Sequence, residues 1–169
     1  MGFEALQTFL DRGGPVLLWI MAATFVMWAL ILERFFYFRF AHQVVADEAI
    51  SEWRSRSDRK SIFAHWVKDR LVSEVRQSAE TNITMTKAVV ALAPLLGLLG
   101  TVTGMIDVFD IMAITGGSDA KAMSAGVSRA TIPTMAGMVA SLSGILFSSG
   151  MDKRAARAVQ AVEDQMEIG

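Results

Sequence analysis

The stretch AVVALAPLLGLLGTVTGMI, from Ala88 to Ile106, holds no charged side chain and ends sharply at Lys87 and Asp107. At about 1.5 Å of rise per residue, a helix of that length crosses a hydrocarbon core of about 30 Å. A single window of this kind also fits the buried helix of a soluble domain. Two more windows decide the matter. Gly13 to Leu32 (20 residues) and Ala130 to Met151 (22 residues) are equally free of charge. Arg12 and Glu33 bound the first, and Arg129 and Asp152 bound the other. Three such helices are hard to bury in a soluble fold of 169 residues. The expected fold is an all-α integral membrane protein with three transmembrane helices and long cytoplasmic helical extensions. It forms a single domain, 1–169, with spans at about 13–32, 88–106 and 130–151. The charged helical segment is about 33–87 and the tail 152–169.

Averages conceal this pattern. The chain is 53% apolar and 20% charged with a formal net charge of -1, a balance that also suits a soluble helical protein. Cysteine is absent, so disulfides and thiolate metal sites are excluded. The first window does not read as a cleaved signal peptide. Glu4 and Asp11 precede it against Arg12 alone, and its apolar run is too long for an h-region.

Loop charge sets the expected orientation. Of the 16 Lys and Arg, ten lie between spans one and two, three follow span three, two lie between spans two and three, and one precedes span one. The segments after spans one and three share a side and hold thirteen of the 16. The positive-inside rule makes that side the cytoplasm. The amino terminus and the loop at 107–129 then face the periplasm, and the carboxyl terminus faces the cytoplasm.

Helix one is expected to start near Phe3 and run through the span into Glu33 and Arg34. Phe35, Phe36, Tyr37, Phe38 and Phe40, interleaved with Arg34 and Arg39, belong at the headgroup level. Neither a cofactor site nor a nucleic-acid site is expected there. In the charged segment, Ile62, Phe63, Trp66, Val67, Leu71 and Val75 recur at helical spacing and predict one apolar stripe packed on neighbouring helices. Ser57 and Asp58 offer a cap ahead of it. His65 has no second ligand nearby, so no metal is expected. Gly116-Gly117-Ser118-Asp119 is the strong turn signal of the second half, and Ser118 or Asp119 can cap the last helix. That helix is expected to continue toward Glu167.

Inside the spans, Gly97, Thr101 and Gly104 fall on one face of the second helix, with Gly100 between them in sequence. Thr134, Gly137, Ser141, Gly144 and Ser148 step by 3 or 4 along the third. Small residues permit close helix packing in lipid, and hydroxyls bond across helices. A hydroxyl-lined ion path through Thr101, Thr134 and Ser141 is the sharper reading of the same pattern. Pro94 and Pro133 cannot bond the carbonyls four residues back and are expected to kink their spans. None of the windows holds Asp, Glu, His, Lys or Arg, whereas proton relays use a titratable group at depth. Asp107, Asp110 and Arg129 stand only at the outer ends, as an outer mouth. If protons cross here, another chain supplies the titrating group. No phosphate-binding loop, nucleophile elbow, metal cluster or dinucleotide turn is present, so no enzyme activity and no cofactor are expected.

Residues 93–106 (APLLGLLGTVTGMI) and 125–140 (AGVSRATIPTMAGMVA) resemble the MotA/TolQ/ExbB proton-channel family, most closely its ExbB branch in a short form. The Gly-Leu-Leu-Gly-Thr-Val-Thr-Gly core is fairly specific, and the likeness covers most of the chain. The resemblance implies a homo-oligomer, a pentamer, in the bacterial inner membrane. It would enclose the membrane helices of an ExbD-like single-span protein whose aspartate carries the proton. The complex would pass proton-motive energy to a TonB-like transducer for outer-membrane uptake of siderophore-bound iron or similar nutrients. By position, Thr101 and Thr134 would be the pore hydroxyls near that aspartate. Where many family members have Glu or Gln, this chain has Arg129, which reverses the charge at the outer mouth. Arg129 can pair with Asp107, with Asp110 or with the partner. The rival branch is TolQ-like, serving envelope constriction through TolR and TolA; a flagellar MotA-like stator fits less well. A non-conducting scaffold, whose small-residue stripes only assemble helices, is the reading from a different class.

Overall fold

The computed structural model describes residues 2–57, 61–117 and 119–166, with side chains from Gly13 onward. The described residues are helical throughout, apart from short turns, and contain no strand. The order is α1 (Gly2–Phe36), a π-helical turn (Tyr37–Ala41), α2 (His42–Ser55), α3 (Ile62–Glu80), α4 (Ile83–Thr115) and α5 (Ala120–Gln165). Three helical runs, Gly13–Ser55, Ile62–Thr115 and Ala120–Gln165, contain stretches long and apolar enough to cross a membrane. The turn signal at 116–117 is realised by two glycines with φ of 63° and 79°. Asp119 caps α5, its Oδ1 accepting from the Ala122 amide at 2.9 Å. Ser118 and Glu167 lie outside the described residues.

Two helix starts carry detail beyond the expectation. Helix α1 covers the expected range, but Gly14 sits at φ 66°, ψ −173°, a non-helical conformation that interrupts it immediately before Pro15. Proline suits the first turn of a helix, where its missing N–H costs nothing. The spanning helix therefore begins anew at Pro15. At α3, Ser57 is not the cap, and Asp58 lies outside the described residues. Ser61 is the cap, its Oγ accepting from the Ala64 amide at 3.2 Å. Pro94 and Pro133 both lie inside single helices, α4 and α5.

The chain divides into two compact units, Met1–Trp28 with Lys87–Ile145, and Ala29–Thr86 with Leu146–Gly169. In the first unit Val16, Leu17, Ile20, Met27, Val90, Ala93, Val108, Ala130 and Ala140 are buried. Many more apolar side chains face outward, among them Trp19, Phe25, Leu92, Leu95, Leu98, Val102, Ile106, Met138 and Val139. So large a continuous apolar exterior is untenable in water and natural in lipid.

The second unit is built on a different plan. Arg34, interleaved with aromatics in the sequence, turns inward and is 3% exposed. Its Nη1 donates to the Ser78 carbonyl at 2.9 Å and the Ala79 carbonyl at 3.4 Å. Its Nε donates to Glu33 at 3.0 Å, and its guanidinium lies 4.5 Å from the Tyr37 ring centroid. Tyr37 in turn bonds Ser78 through its hydroxyl at 2.5 Å. A cation on the last carbonyls of α3 satisfies acceptors the helix leaves open and complements its dipole. Asn82, at φ 61°, turns the chain from α3 into α4, and its Nδ2 donates to Glu33 at 3.1 Å. The stripe on α3 splits: Leu71 and Val75 are buried, whereas Ile62, Phe63 and Trp66 are each about 70% exposed. Trp53 of α2 fills the core instead, and Arg70 ties α3 to α2 through Glu52 at 3.1 Å.

Candidate functional site

The site is the seam between α4 and α5 in the first unit, and glycine creates it. A Cβ on Gly97 would stand 3.0 Å from the Thr134 Cα and 3.1 Å from the Pro133 carbonyl. On Gly104 it would stand 2.5 Å from the Ala130 Cα, and on Gly137 2.5 Å from the Ala93 carbonyl. Gly100 faces the Pro133 ring, and Gly144 faces Met27 and Val90. Backbone thus meets backbone along this seam, the arrangement that small residues permit in lipid.

Close approach sets one polar contact. Thr134 Oγ1 donates to the Gly97 carbonyl at 3.0 Å, a bond between helices across 37 residues of chain. Thr101 Oγ1 instead donates within α4, to the Leu98 carbonyl at 2.6 Å, and Thr103 does the same to Gly100 at 3.1 Å. Each hydroxyl proton is committed to a carbonyl, so the oxygen of each threonine is left with lone pairs alone to offer a visitor. Ser141 is buried on α5, and its neighbour Ser143 bonds back to the Ala140 carbonyl at 2.7 Å.

Charge stands at the end of the seam. Arg129 Nη1 lies 3.4 Å from Asp107 Oδ2, with both side chains nearly half exposed. Asp110 is exposed and pairs with no cation among the described residues. Beside the pair is a cavity of about 180 Å³, lined by Gly13, Gly14, Pro15, Val16, Thr103, Gly104, Asp107 and Arg129. The Gly14 break contributes to its wall: a Cβ there would lie 3.6 Å from the Arg129 stem. The structure brings Gly97, Gly100 and Gly104 of α4 against Pro133, Thr134 and Gly137 of α5; the sequence reads these as small-residue stripes on separate spans, with Pro133 as a kink, and gives Asp107 as one of three possible partners of Arg129. It passed over Gly14 and Thr103. The Gly13-Gly14-Pro15 triplet was the available signal for the former, since paired glycine and proline punctuate helices.

The sequence profile of the MotA/TolQ/ExbB proton channel family matches residues 28–164. The chain belongs to that family. Its similarity to individual MotA/TolQ/ExbB-related proteins is more local. A biopolymer transport protein ExbB-like 1 of Synechocystis is 43% identical over 65 residues, 37% of this chain and 26% of that protein. The ExbB-like 3 protein of the same organism is 31% identical over 87 residues, 47% of this chain and 41% of the relative. The biopolymer transport protein ExbB of Helicobacter pylori is 38% identical over 61 residues, 36% of this chain and 42% of that protein. The matched stretches thus span between about a quarter and two fifths of these relatives' lengths.

Proposed function

We propose that this chain is the channel-forming subunit of an inner-membrane proton motor of the ExbB type. It has no enzymatic activity of its own and assembles as a homo-oligomer, a pentamer, around a single-span ExbD-like partner. The observation that carries the reading is the Thr134–Gly97 bond in spans that hold no titratable group. With its proton given to the Gly97 carbonyl, Thr134 has only lone pairs to offer a visiting group. A protonated carboxylic acid donates to such an oxygen; an ionised carboxylate finds no donor there. Hydrogen bonding that favours the neutral form raises a carboxyl pKa. The seam is therefore suited to holding a partner's acid protonated in mid-membrane, and Thr101 offers the same acceptor character one helix away.

The membrane partner would supply the aspartate, and a TonB-like transducer would receive the energy for outer-membrane uptake of siderophore-bound iron or vitamins. The topology that fits puts the amino terminus in the periplasm and the carboxyl terminus in the cytoplasm. Thr134→Ala and Thr101→Ala are expected to leave assembly intact and to impair energised uptake, with Thr134→Ser restoring much of it. Uptake at the normal rate in both alanine variants would remove the proposed role. Affinity capture of the tagged protein from its host in mild detergent names the branch. A TonB-like third component marks ExbB, and a TolA-like one marks the TolQ alternative.

A further inference from the structure

In the second unit, just beyond the ends of the first and third apolar windows, Phe35, Phe38, Arg39 and His42 face Arg154, Arg157 and Ala158 around a pocket of about 290 Å³. Phe35 follows the first window by three residues, and Arg154 follows the last by three. The pocket therefore lies at headgroup depth, where aromatic and basic side chains concentrate. Its volume is at the small end of ligand sites, suited to a headgroup and not to a whole lipid.

Its charge is uncompensated. Among the described residues, none of Arg39, Arg154 and Arg157 has a carboxylate partner, and Arg39 and Arg154 lie near aromatic rings. The Arg154 guanidinium lies 6.0 Å from the Phe35 centroid, and that of Arg39 5.4 Å from Phe40. His42 Nδ1 is buried with no hydrogen-bond partner. Burial also pushes the His42 imidazole below its ordinary pKa, so it is predominantly neutral near pH 7. Leu32, Phe36 and Phe40, close by in sequence, are about half or more exposed, which is a surface for hydrocarbon and not for water.

We propose that this pocket binds the phosphate of an anionic phospholipid headgroup, held by Arg39, Arg154 and Arg157, with the Phe35 and Phe38 rings against the start of the acyl chains. Basic pockets at the membrane surface recognise such headgroups, each arginine adding to the attraction. An acidic peptide would find the same charges, but the apolar surface around the pocket suits acyl chains better. The proposal rests on the membrane spans and is independent of proton conduction.

The test is native mass spectrometry of the full chain in mild detergent, titrated separately with phosphatidylglycerol and phosphatidylcholine. Phosphatidylglycerol is expected to be retained in clear preference. Arg154→Gln and Arg157→Gln should each lower retention about fivefold, while Arg70→Gln on α3 leaves it unchanged. All these side chains are exposed, and circular dichroism checks the helices; Arg39→Gln gives a further reading should an α5 variant lose them. Equal retention of both lipids, or of phosphatidylglycerol by wild type and variants, would overturn the proposal. So would displacement of the lipid by millimolar inorganic phosphate, which marks a free-anion site, or tight binding of a Glu-rich peptide in its place.

Discussion

Gly14 holds φ 66° and ψ −173°, a region that residues with a Cβ enter only at a cost of about 1–3 kcal/mol. Gly14→Ala is therefore expected to lower stability by about that amount, and thermal unfolding in detergent measures it. Arg34 is the other residue on which local structure turns. Its bonds to the Ser78 and Ala79 carbonyls are charge-assisted and nearly dry, and such bonds contribute about 1.5–3 kcal/mol each. Arg34→Gln should detach the end of α3, seen as faster amide exchange through residues 76–82. The Arg129–Asp107 pair is different. Half exposed and 3.4 Å long, it contributes at most about 1 kcal/mol, so Asp107→Asn should shift the unfolding midpoint little. At this scale the sequence is only partly legible. The committed bonds of Thr101 and Thr134 depend on which carbonyl a neighbouring helix presents, and Arg34 reads as a surface cation until the fold closes over it.

Elements were more legible than residues. Charge-free windows and small-residue spacing locate α4, α5 and their seam, because in lipid the packing face is marked by size and not by polarity. The same logic gives opposite signs to two glycines. Gly104→Ala drives a Cβ into the Ala130 backbone and should destabilise by about 1–3 kcal/mol. Gly150→Ala meets nothing within 4 Å in mid-helix and should stabilise by about 0.8–1 kcal/mol. Chemical denaturation of the two variants side by side checks the contrast. Periodicity was less informative in the charged segment. Ile62, Phe63 and Trp66 share a stripe with Leu71 and Val75, yet only the latter two are buried, because the core beneath them is completed by Trp53 and by α5 residues such as Val159 and Val162. A stripe states which face is apolar, and long-range contacts choose how much of it is covered.

At the scale of the whole molecule, three apolar helices and the family profile place the chain in a membrane. The spans carry hydroxyls and close backbone contacts but no group that titrates near neutral pH. Under the proposed function the work divides between chains: this one would supply the hydroxyl acceptors of the seam, and a second would supply the carboxyl that loads and unloads the proton. The most direct measurement is proton flux into liposomes, energised by a potassium diffusion potential. It compares the purified chain alone, the chain co-reconstituted with its single-span partner, and that complex carrying Thr134→Ala. Flux is expected from the complex, none above background from the chain alone, and a severalfold loss in the variant. Flux from the chain alone, or an undiminished rate with Thr134→Ala, would contradict that division of work.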